Sequence, residues 1–393
     1  MKTTGIGLLL VLLLTVGCNR SAEGPVAAAQ QGLPPGFELG EFATGLGAAR
    51  FMAFGPDGTL YVSSIRAGTV LALPDRDQDG RADEVITFAE GLTSPHGLAW
   101  RDPSTGDGAD GWLYVGETHR VVRLRDTDGD GRADQQEEVA AGLPPGGQHF
   151  TRTIGFGPEG GLYVSVGSSC NVCEEEHPLR AAVSRLNPAT GQFELYARGL
   201  RNSVGFTWHP ETGELWAVDN GRDWLGDDLP PEELNLVEKD GDYGWPYCYG
   251  DRIPEPDFGS PERCAATQPA TFEMPAHTAP LGLGFYTGAM FPEEYRGDLF
   301  IAFHGSWNRS VPTGYKVVRV RFRDGRPVAL EDFVDVWFKG GWVSHRPVDV
   351  ATGPDGALYI SDDSGGTIFR LTYKKWVPHF RQAQSDHRSP LSC

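Results

Sequence analysis

The segment FGPDGTLYVSS, residues 54–64, joins a glycine-containing turn to a short apolar strand. Related segments recur along the chain: GWLYVGE (111–117), FGPEGGLYVSVG (156–167), HPETGELWAVDNG (209–221), YRGDLFIAFHG (295–305) and GPDGALYISDD (353–363). The leucines that mark these strands, Leu60, Leu113, Leu162, Leu215, Leu299 and Leu358, are separated by 53, 49, 53, 84 and 59 residues. Each step is long enough for a four-stranded blade, so the repeats predict an all-β fold, a six-bladed β-propeller.

The last repeat lacks an outer strand of its own. The N-terminal segment GFELGEFATGL (36–46) has the pattern of that missing strand. We therefore expect the N-terminal strand to join the last blade and close the ring, so that the propeller spans residues 37–373. The long step between Leu215 and Leu299 indicates an insertion, which we place around residues 222–280.

The two ends of the chain have the composition of segments outside the propeller. An apolar run over residues 6–16 follows Lys2, and its length predicts a signal peptide at residues 1–17. Cys18 follows Gly17 as at the processing site of a bacterial lipoprotein, with simple secretion as the alternative. Residues 18–36 are predicted to be a flexible tether and residues 374–393 a disordered tail. We expect an exported, periplasmic or outer-surface lipoprotein that meets the membrane only through a lipid on Cys18.

Five of the six cysteines follow Cys18, and in an exported chain disulfides are the first interpretation. Cys170 and Cys173 have C-x-x-C spacing, and Cys248 and Cys264 bracket a proline-rich loop. A zinc site made from these four is the alternative, but no histidine stands at ligand spacing beside them. Cys393 is left over in the tail.

Charge narrows the class of ligand. The formal net charge of −19 argues against a nucleic-acid partner, whose phosphates would be repelled. Nevertheless, the residues just before the inner strands, which ring one mouth of a propeller, are His149, Arg201, Asn202 and Arg346, with Arg50, His96 and Arg152 nearer the strands. Such a ring predicts an anionic ligand on the axis. The alternative is that each side chain packs between blades and binds backbone carbonyls.

Two acidic loops, DRDQDGRAD (75–83) and DTDGDGRADQQE (126–137), have the composition of calcium sites. The second matches D-x-D-x-D-G-x5-E, with Asp126, Asp128, Asp130, Asp134 and Glu137 as candidate ligands. The first offers Asp75, Asp77, Asp79 and Asp83, because Ile86 stands where the closing glutamate would be. We expect both loops on the face opposite the ring of cations, as structural clips; solvated hairpins without metal are the alternative.

From Leu33 to Tyr373 the chain resembles the quinoprotein glucose/sorbosone dehydrogenase family. The segments that carry the resemblance are GQHFTRTIGFGPEG (147–160), GLRNSVGFTWHPETGEL (199–215), EELNLVEKDGDYGWP (232–246), RPVDVATGPDG (346–356), APLGLGFYTG (279–288) and FIAFHGSWNR (300–309). The resemblance implies an enzyme that uses pyrroloquinoline quinone (PQQ) and calcium. It would oxidise an aldose or sugar aldehyde and pass electrons to an acceptor such as a quinone or cytochrome.

The resemblance also implies roles for individual residues. His149 corresponds to the general base and Arg201 to the arginine beside the quinone, with Asn202 and Arg346 holding the cofactor. Backbone carbonyls of Asn220, Gly221 and Arg222, with the side chain of Asp223, correspond to the catalytic calcium site. Arg309, or alternatively Lys316, stands in for the family's cofactor lysine. Trp307 would stack on the quinone or pack between blades, and His96 lies near an expected glutamine.

Two positions depart from the family pattern. Gln148 replaces the acidic residue before the base, and Val348 replaces one of two cofactor arginines. These departures keep a second hypothesis open, a propeller that binds a ligand or partner without catalysis. A third, a lactonase-like metal hydrolase, would need several carboxylates before the inner strands, where this sequence has Arg, His and Asn.

Overall fold

The computed structural model describes residues 31–101 and 111–374. The predicted signal peptide, Cys18, Cys393 and residues 375–393 lie outside the described residues. Within the described part of the chain, no helix has both the length and the apolar character needed to cross a bilayer.

The strands form six antiparallel four-stranded sheets that follow one another along the chain, and the third gains one short parallel strand. The N-terminal strand is β1 (Phe37–Ala43). Blade one contains β2 (Ala49–Phe54), β3 (Leu60–Ser64), β4 (Thr69–Leu73) and β5 (Ile86–Ala89). Blade two contains β6 (Leu98–Trp100), β7 (Leu113–Gly116), β8 (Arg120–Arg125) and β9 (Gln135–Ala141). Blade three contains β10 (Arg152–Phe156), β11 (Leu162–Val166), β12 (Ala182–Asn187) and β13 (Gln192–Arg198).

The second half of the ring carries the additional elements. Blade four contains β14 (Phe206–Trp208), β15 (Leu215–Asp219), β16 (Glu232–Val237), then β17 (Gly241–Asp242), β18 (Cys248–Tyr249), β19 (Ile253–Pro254), α1 (Pro261–Cys264) and the outer strand β20 (Phe272–Met274). Blade five contains β21 (Pro280–Phe285), a 3-10 turn (Glu293–Tyr295), β22 (Leu299–Phe303), β23 (Lys316–Arg323) and β24 (Arg326–Val334). A hairpin of β25 (Phe338–Lys339) and β26 (Trp342–Val343) precedes blade six, which contains β27 (Pro347–Thr352), β28 (Leu358–Asp362) and β29 (Thr367–Tyr373). The predicted six-bladed β-propeller is confirmed.

The repeated GPDG sequence makes the turn between the first two strands of a blade. In blade one, Gly55 N donates to Thr59 O at 2.8 Å and Gly58 N donates to Gly55 O at 3.0 Å. Gly58 has φ of +87°, a left-handed conformation that a side chain disfavours. The glycine at the equivalent place in blades three and six is held the same way, which is why the motif recurs at the same point of these blades.

The ring is closed by β1, which pairs with β29 so that Phe37 lies opposite Tyr373. Joining the first strand to the last removes a free sheet edge. The ring of Phe37 also makes edge contacts with Phe291 and Phe333 of blade five. The fold begins before Phe37, however: Leu33 packs on this cluster and Asp335 N donates to Gly32 O at 2.8 Å. The last residues of the predicted tether therefore belong to the propeller.

An apolar cluster, here called the plug, lies among the inner strands below the mouth. It consists of Phe51 of blade one, Val204 before blade four, Leu281 of blade five and Val348 of blade six. These residues come from blades four, five, six and one, which follow one another around the ring. Val348, the position where the family carries an arginine, is fully buried in this plug. Apolar side chains therefore form the floor below the mouth between these blades.

The predicted insertion contains two regular strands of blade four, β16 and β20, which pair with each other. The additional chain is divided between the loop 220–231 and the excursion 238–271. The excursion is tied by the disulfide between Cys248 and Cys264, and it packs beside the loop 220–231 through Arg222, which pairs with Glu255. Both extra segments thus lie next to the residues that follow β15.

Candidate active site

Two kinds of loop surround the mouth: those that precede the inner strands, and those that join the second strand of a blade to the third. Arg201 donates to the carbonyls of Asn171 (2.9 Å) and Asn220 (3.0 Å), and Arg346 donates to Gly305 O at 2.6 Å. These contacts join the two kinds of loop on one face. His149, Arg201, Asn202 and Arg346 are therefore brought together, as the position of each before its strand predicted.

His149 lies in the loop between β9 and β10 and is held through one ring nitrogen. Its Nδ1 is 3.0 Å from the carbonyl oxygen and 2.9 Å from Oγ of Ser168, whose hydroxyl donates to Cys170 O. Because the Ser168 hydroxyl donates its proton to Cys170 O, both Ser168 oxygens can only accept from His149. The imidazole proton is therefore on Nδ1. Within the described chain Nε2 has no hydrogen-bond partner. Burial and the nearby guanidinium of Arg201 lower the pKa of His149 to about 3, so the ring is neutral.

Two buried arginines hold the loop that carries His149. Arg152 is fully buried and donates to His149 O at 3.1 Å and Pro144 O at 2.6 Å. Arg180, 6% exposed, donates to Gly146 O at 2.7 Å and more weakly to His149 O at 3.3 Å. Neither forms an ion pair within the described residues. Burial and the adjacent Arg180 lower the pKa of Arg152 to about 9, which reflects a pair of cations held by carbonyl dipoles alone.

Arg201 is fixed by blades three and four together. Its Nε and Nη2 donate to the backbone and side-chain oxygens of Asn171, each at 2.9 Å, and Nη2 lies 3.7 Å from Asp223. Asn171 lies between Cys170 and Cys173, which a disulfide joins, so this covalent loop fixes Asn171 and through it Arg201. Both predicted disulfides are thus present.

Asp219 at the end of β15 organises the turn that precedes blade four. Its carboxylate accepts from the backbone nitrogens of Arg201 (2.8 Å) and Asn202 (2.7 Å) and from Ser203 Oγ. Burial raises the pKa of Asp219 to about 7. A Cβ at Gly167 would lie 2.4 Å from Asn202 Oδ1 and 2.6 Å from His149 Cβ. Glycine is required there because the catalytic candidates of blades three and four approach each other across it.

On the blade-six side Arg50 and His304 share a carboxylate partner. Arg50 forms an ion pair with Asp363 at 2.7 Å, and the other oxygen of Asp363 lies 2.9 Å from His304 Nε2. Arg346 also lies here, with its backbone nitrogen on Asp362 and its guanidinium on the carbonyls of His304 and Gly305. His304 and Asp363 were not predicted, although both lie in loops that the repeat alignment places at the mouth.

The structure places His96 away from the mouth. It has no exposed surface, its Nε2 accepts from Arg50 at 3.3 Å, its Nδ1 lies 3.2 Å from Thr153 Oγ1, and Phe51 packs on its ring. Both nitrogens are used inside the protein. The prediction that His96 contacts a cofactor is therefore not supported; strand counting placed it close to the axis but did not give its depth.

The cations expected to replace the family lysine are each paired with a carboxylate. Arg309 pairs with Asp228 at 2.8 Å and Lys316 with Asp332 at 2.6 Å. Trp307 is 65% exposed and makes an edge contact with Trp224, so it does not pack between blades. The side chain of Arg222 points to Glu255 and Asp257, which leaves only its carbonyl for a metal at the mouth.

The carbonyls predicted for the catalytic calcium are partly engaged. Asn220 O accepts from Arg201, Asp223 O accepts from Asn171 Nδ2 at 3.2 Å, and Gly221 N donates to Glu232 at 2.7 Å. The carboxylate of Asp223 accepts from Asn308 at 2.8 Å. The loop has oxygens that can turn to a metal, but within the described residues it does not bring three acidic side chains together.

The two acidic loops lie on the opposite face, beside Asp57 and Asp355 of the inter-strand turns. Asp75, Asp77 and Asp79 converge in one loop, and Asp126, Asp128 and Asp130 in the other. Asp83 and Asp134 accept from the backbone nitrogens of Arg76 (2.8 Å) and Thr127 (3.3 Å), so each closes its own loop. Glu137 does not reach the cluster: it lies in β9 and accepts from Arg123 at 2.8 Å. The strand begins two residues before Glu137, and its geometry carries that carboxylate away from the loop.

Sequence reasoning missed Ser168, Asn171, Arg180 and Asp219. The SSCNVC segment (168–173) joins the second strand of blade three to the third, and its irregular backbone gave no means of assigning contacts to Ser168 and Asn171. Arg180 follows a long loop and has no repeat equivalent, so only the folded chain reveals that it supports His149.

Relatives fit this arrangement. An aldose sugar dehydrogenase of Escherichia coli is 28% identical over 250 residues, which cover 58% of this chain and 60% of the relative. A PQQ-dependent sugar dehydrogenase of Hypocrea jecorina is 28% identical over 415 residues, with 88% and 89% covered. The chain spans 58% and 61% of the lengths of two further relatives, from Borreliella burgdorferi and Synechocystis.

Solved structures share the fold. A Trichoderma reesei protein of Carbohydrate-Active Enzymes Family AA12 superposes with a TM-score of 0.76 at 24% identity, over 87% of this chain and 97% of its own. The PQQ domain of a Coprinopsis cinerea pyranose dehydrogenase superposes with a TM-score of 0.71 at 22% identity, over 86% and 96%. Together with the curated relatives, they confirm the resemblance to quinoprotein sugar dehydrogenases. The TrAA12-like family model matches residues 32–374, and the chain belongs to that family.

Proposed function

We propose that this protein is a PQQ- and calcium-dependent dehydrogenase that oxidises an aldose or sugar aldehyde at the mouth of the propeller. The observation that carries the proposal is the state of His149. Its Nδ1 is anchored on Ser168, its Nε2 is without a protein partner, and Arg201 lies close enough to lower its pKa. A neutral imidazole with a free lone pair is the group a proton abstraction requires.

The residues at the mouth fit a flat, polyanionic cofactor. Arg201 and Arg346 supply guanidinium groups, and the buried cations Arg152 and Arg180 add positive charge without a carboxylate partner. The floor of Phe51, Val204, Leu281 and Val348 is apolar and suits the face of an aromatic ring system. When bound there, PQQ supplies the two-electron acceptor that no side chain provides.

Within this arrangement each residue has a separate task. His149 Nε2 takes the proton of the reacting sugar hydroxyl, while Ser168 keeps Nδ1 protonated and fixes the ring plane. Ser168 thus orients the imidazole, the role that the family gives to an acidic residue at the position of Gln148. Arg201, held in place by Asn171, stabilises negative charge that develops beside it. The apolar floor excludes water from beneath the reacting groups.

We propose that the protein binds calcium at the mouth and on the opposite face. At the mouth, the carbonyls of Gly221 and Arg222 and the carboxylate of Asp223 would hold a metal that acts as a Lewis acid. On the opposite face, the loops at 75–83 and 126–134 would hold structural calcium through three aspartates each.

An exported location and an external electron acceptor complete the proposal. The two disulfides support an oxidising compartment. An acceptor such as a quinone or cytochrome would take the electrons at the mouth, where the cofactor is proposed to bind. Lipid attachment at Cys18 is tested directly by mass spectrometry of the exported protein.

Reconstitution tests the enzymatic proposal. Metal-stripped protein receives PQQ and calcium, separately and together, and dye reduction is followed with a panel of aldoses and sugar aldehydes. We expect turnover only when both are added. Cofactor binding without turnover on any sugar would reject the dehydrogenase assignment for this panel, and absence of cofactor binding would favour the non-catalytic propeller.

A further inference from the structure

We propose that Trp224 and Trp307 form a sugar-stacking platform at the rim of the mouth, which binds a second, non-reacting pyranose ring, so that the preferred substrate is an oligosaccharide. Only the oxidation of one end of the sugar rests on the proposed function. The platform is supported independently by the exposure of the two tryptophans, the backbone strain at Trp224 and the attachment of their loops.

The pair is exposed although tryptophan is the largest apolar side chain. Trp224 is 68% exposed and Trp307 65%, and their rings meet edge to face with centroids 5.2 Å apart and an interplanar angle of 85°. A tryptophan presents roughly 150–250 Å² of surface, so the pair leaves on the order of 200–300 Å² open. Typical monomers expose apolar patches of about 300–600 Å², so the area alone does not assign a function to the pair.

The backbone at Trp224 is held in a costly conformation. Its φ is +73°, in the left-handed region that a bulky side chain disfavours by about 1–2 kcal/mol. Exposed as it is, the ring does not recover that cost by burial. Strain that is maintained without a gain in stability indicates a position selected for function.

The two loops that carry the tryptophans are tied together. Asn308 Nδ2 donates to Asp223 at 2.8 Å, Ser310 N donates to Asp227 at 2.9 Å, and Arg309 pairs with Asp228 at 2.8 Å. These three links flank both rings and join blade four to blade five. The pair is therefore fixed before any ligand arrives, which reduces the entropy lost on binding.

The platform adjoins the candidate active site. Asp223 precedes Trp224, binds Asn308 beside Trp307, and lies 3.7 Å from Arg201. A ligand that reaches His149 with one ring would lie over this rim with the next.

The chemistry around the pair favours a carbohydrate. The apolar C–H face of a pyranose stacks on an aromatic ring, and its hydroxyls pair with carboxylate and amide oxygens such as those of Asp223, Asp227 and Asn308. A negatively charged ligand would be repelled by Asp223, Asp227 and Asp228. A protein partner is the competing occupant, and the experiment separates it.

The experiment measures binding before activity. Calorimetry on the cofactor-free full chain compares maltotriose, cellotriose and xylotriose, each with its own monosaccharide, for the wild type, Trp224→Ala and Trp307→Ala. Trp342→Ala is the matched control, because that tryptophan is 75% exposed but outside the pair. We expect at least one trisaccharide to bind about tenfold more tightly than its monosaccharide, and each platform variant to lose that advantage while the control keeps it.

A second measurement uses the loaded enzyme. Trp224→Ala should raise KM for the trisaccharide about tenfold with kcat unchanged, and leave KM for the monosaccharide as it was. Equal binding of trisaccharides and monosaccharides by the wild type would overturn the platform. So would variants that slow only the reaction with a protein electron acceptor, which would assign the rim to partner docking. Trisaccharide binding that depends on Trp224 without turnover on any sugar would retain the platform and reject the dehydrogenase.

Discussion

The two sides of the mouth contain the same kinds of residue in opposite electrostatic states. On the blade-three side, Arg152 and Arg180 are buried on backbone carbonyls and have no ion pair within the described chain. On the blade-six side, Arg50 and His304 share the carboxylate of Asp363. Unpaired positive charge thus lies behind His149, whereas Arg50 and His304 opposite are neutralised by Asp363. The difference indicates that the blade-three side governs proton chemistry, while Asp363 joins neighbouring blades on the other side and leaves Arg346 there for anion binding.

The largest effect is expected at His149. His149→Gln should lower kcat by about 10²- to 10⁴-fold, because the amide cannot accept the proton. Cofactor binding, followed by fluorescence quenching, should be retained. His177→Gln, an exposed histidine in the adjacent loop, is the control. Full activity in His149→Gln would contradict the assignment of His149 as the base and of proton chemistry to the blade-three side.

Asp363→Asn tests the neutralised side. Although burial alone would raise it, the hydrogen bonds and charges of His304 and Arg50 hold the pKa of Asp363 below its usual range. The variant should lose about 3–5 kcal/mol of unfolding free energy at pH 7, measured in urea. A lowered carboxyl pKa stabilises the fold above the unfolded pKa, so the loss should shrink as pH falls below about 4. Asp324→Asn in an exposed turn is the control, and an equal loss there would refute the assignment.

Arg180 tests the unpaired side. Arg180→Gln removes a cation that helps to lower the pKa of His149, so the acid limb of the pH–rate profile should move to higher pH by about one unit. Arg180→Lys keeps the charge and should keep the limb, while both lose carbonyl bonds. Long-range ¹H–¹⁵N spectra of the imidazole, assigned with His149→Gln, report the same shift without turnover. Three cations face His149: Arg201, Arg180 and Arg152. In Arg180→Gln the other two still lower the pKa of His149. An unchanged limb in the glutamine variant would show that the pair acts only structurally.

The smallest effect is expected on the far face. Calcium should raise the melting temperature by a few degrees, and Asp128→Ala should remove part of that gain with kcat unchanged. Magnesium at the same concentration is the control. A fall in kcat would contradict a purely structural role for the loop.

The sequence allowed the architecture and the mouth residues to be predicted for one physical reason. Each blade repeats a glycine turn at a fixed point, so counting back from it locates the residue before every inner strand, and this found His149, Arg201, Asn202 and Arg346. The method gives position along a strand but not depth, so it did not predict that His96 is fully buried with both ring nitrogens in contact with protein side chains. It also gives no contacts in irregular loops, where Asn171, Arg180 and Asp363 are positioned by neighbouring blades. Glu137 matched a motif, but strand β9 had already begun.

The apolar plug of Phe51, Val204, Leu281 and Val348 places buried side chains among the inner strands below the mouth. We therefore expect sugar, oxidised product and electron acceptor to use the same opening at the mouth, one after another. The two half-reactions are then separated in time. Initial rates measured against both substrates should follow a double-displacement pattern, with parallel double-reciprocal lines and competition between high sugar and high acceptor for one entrance.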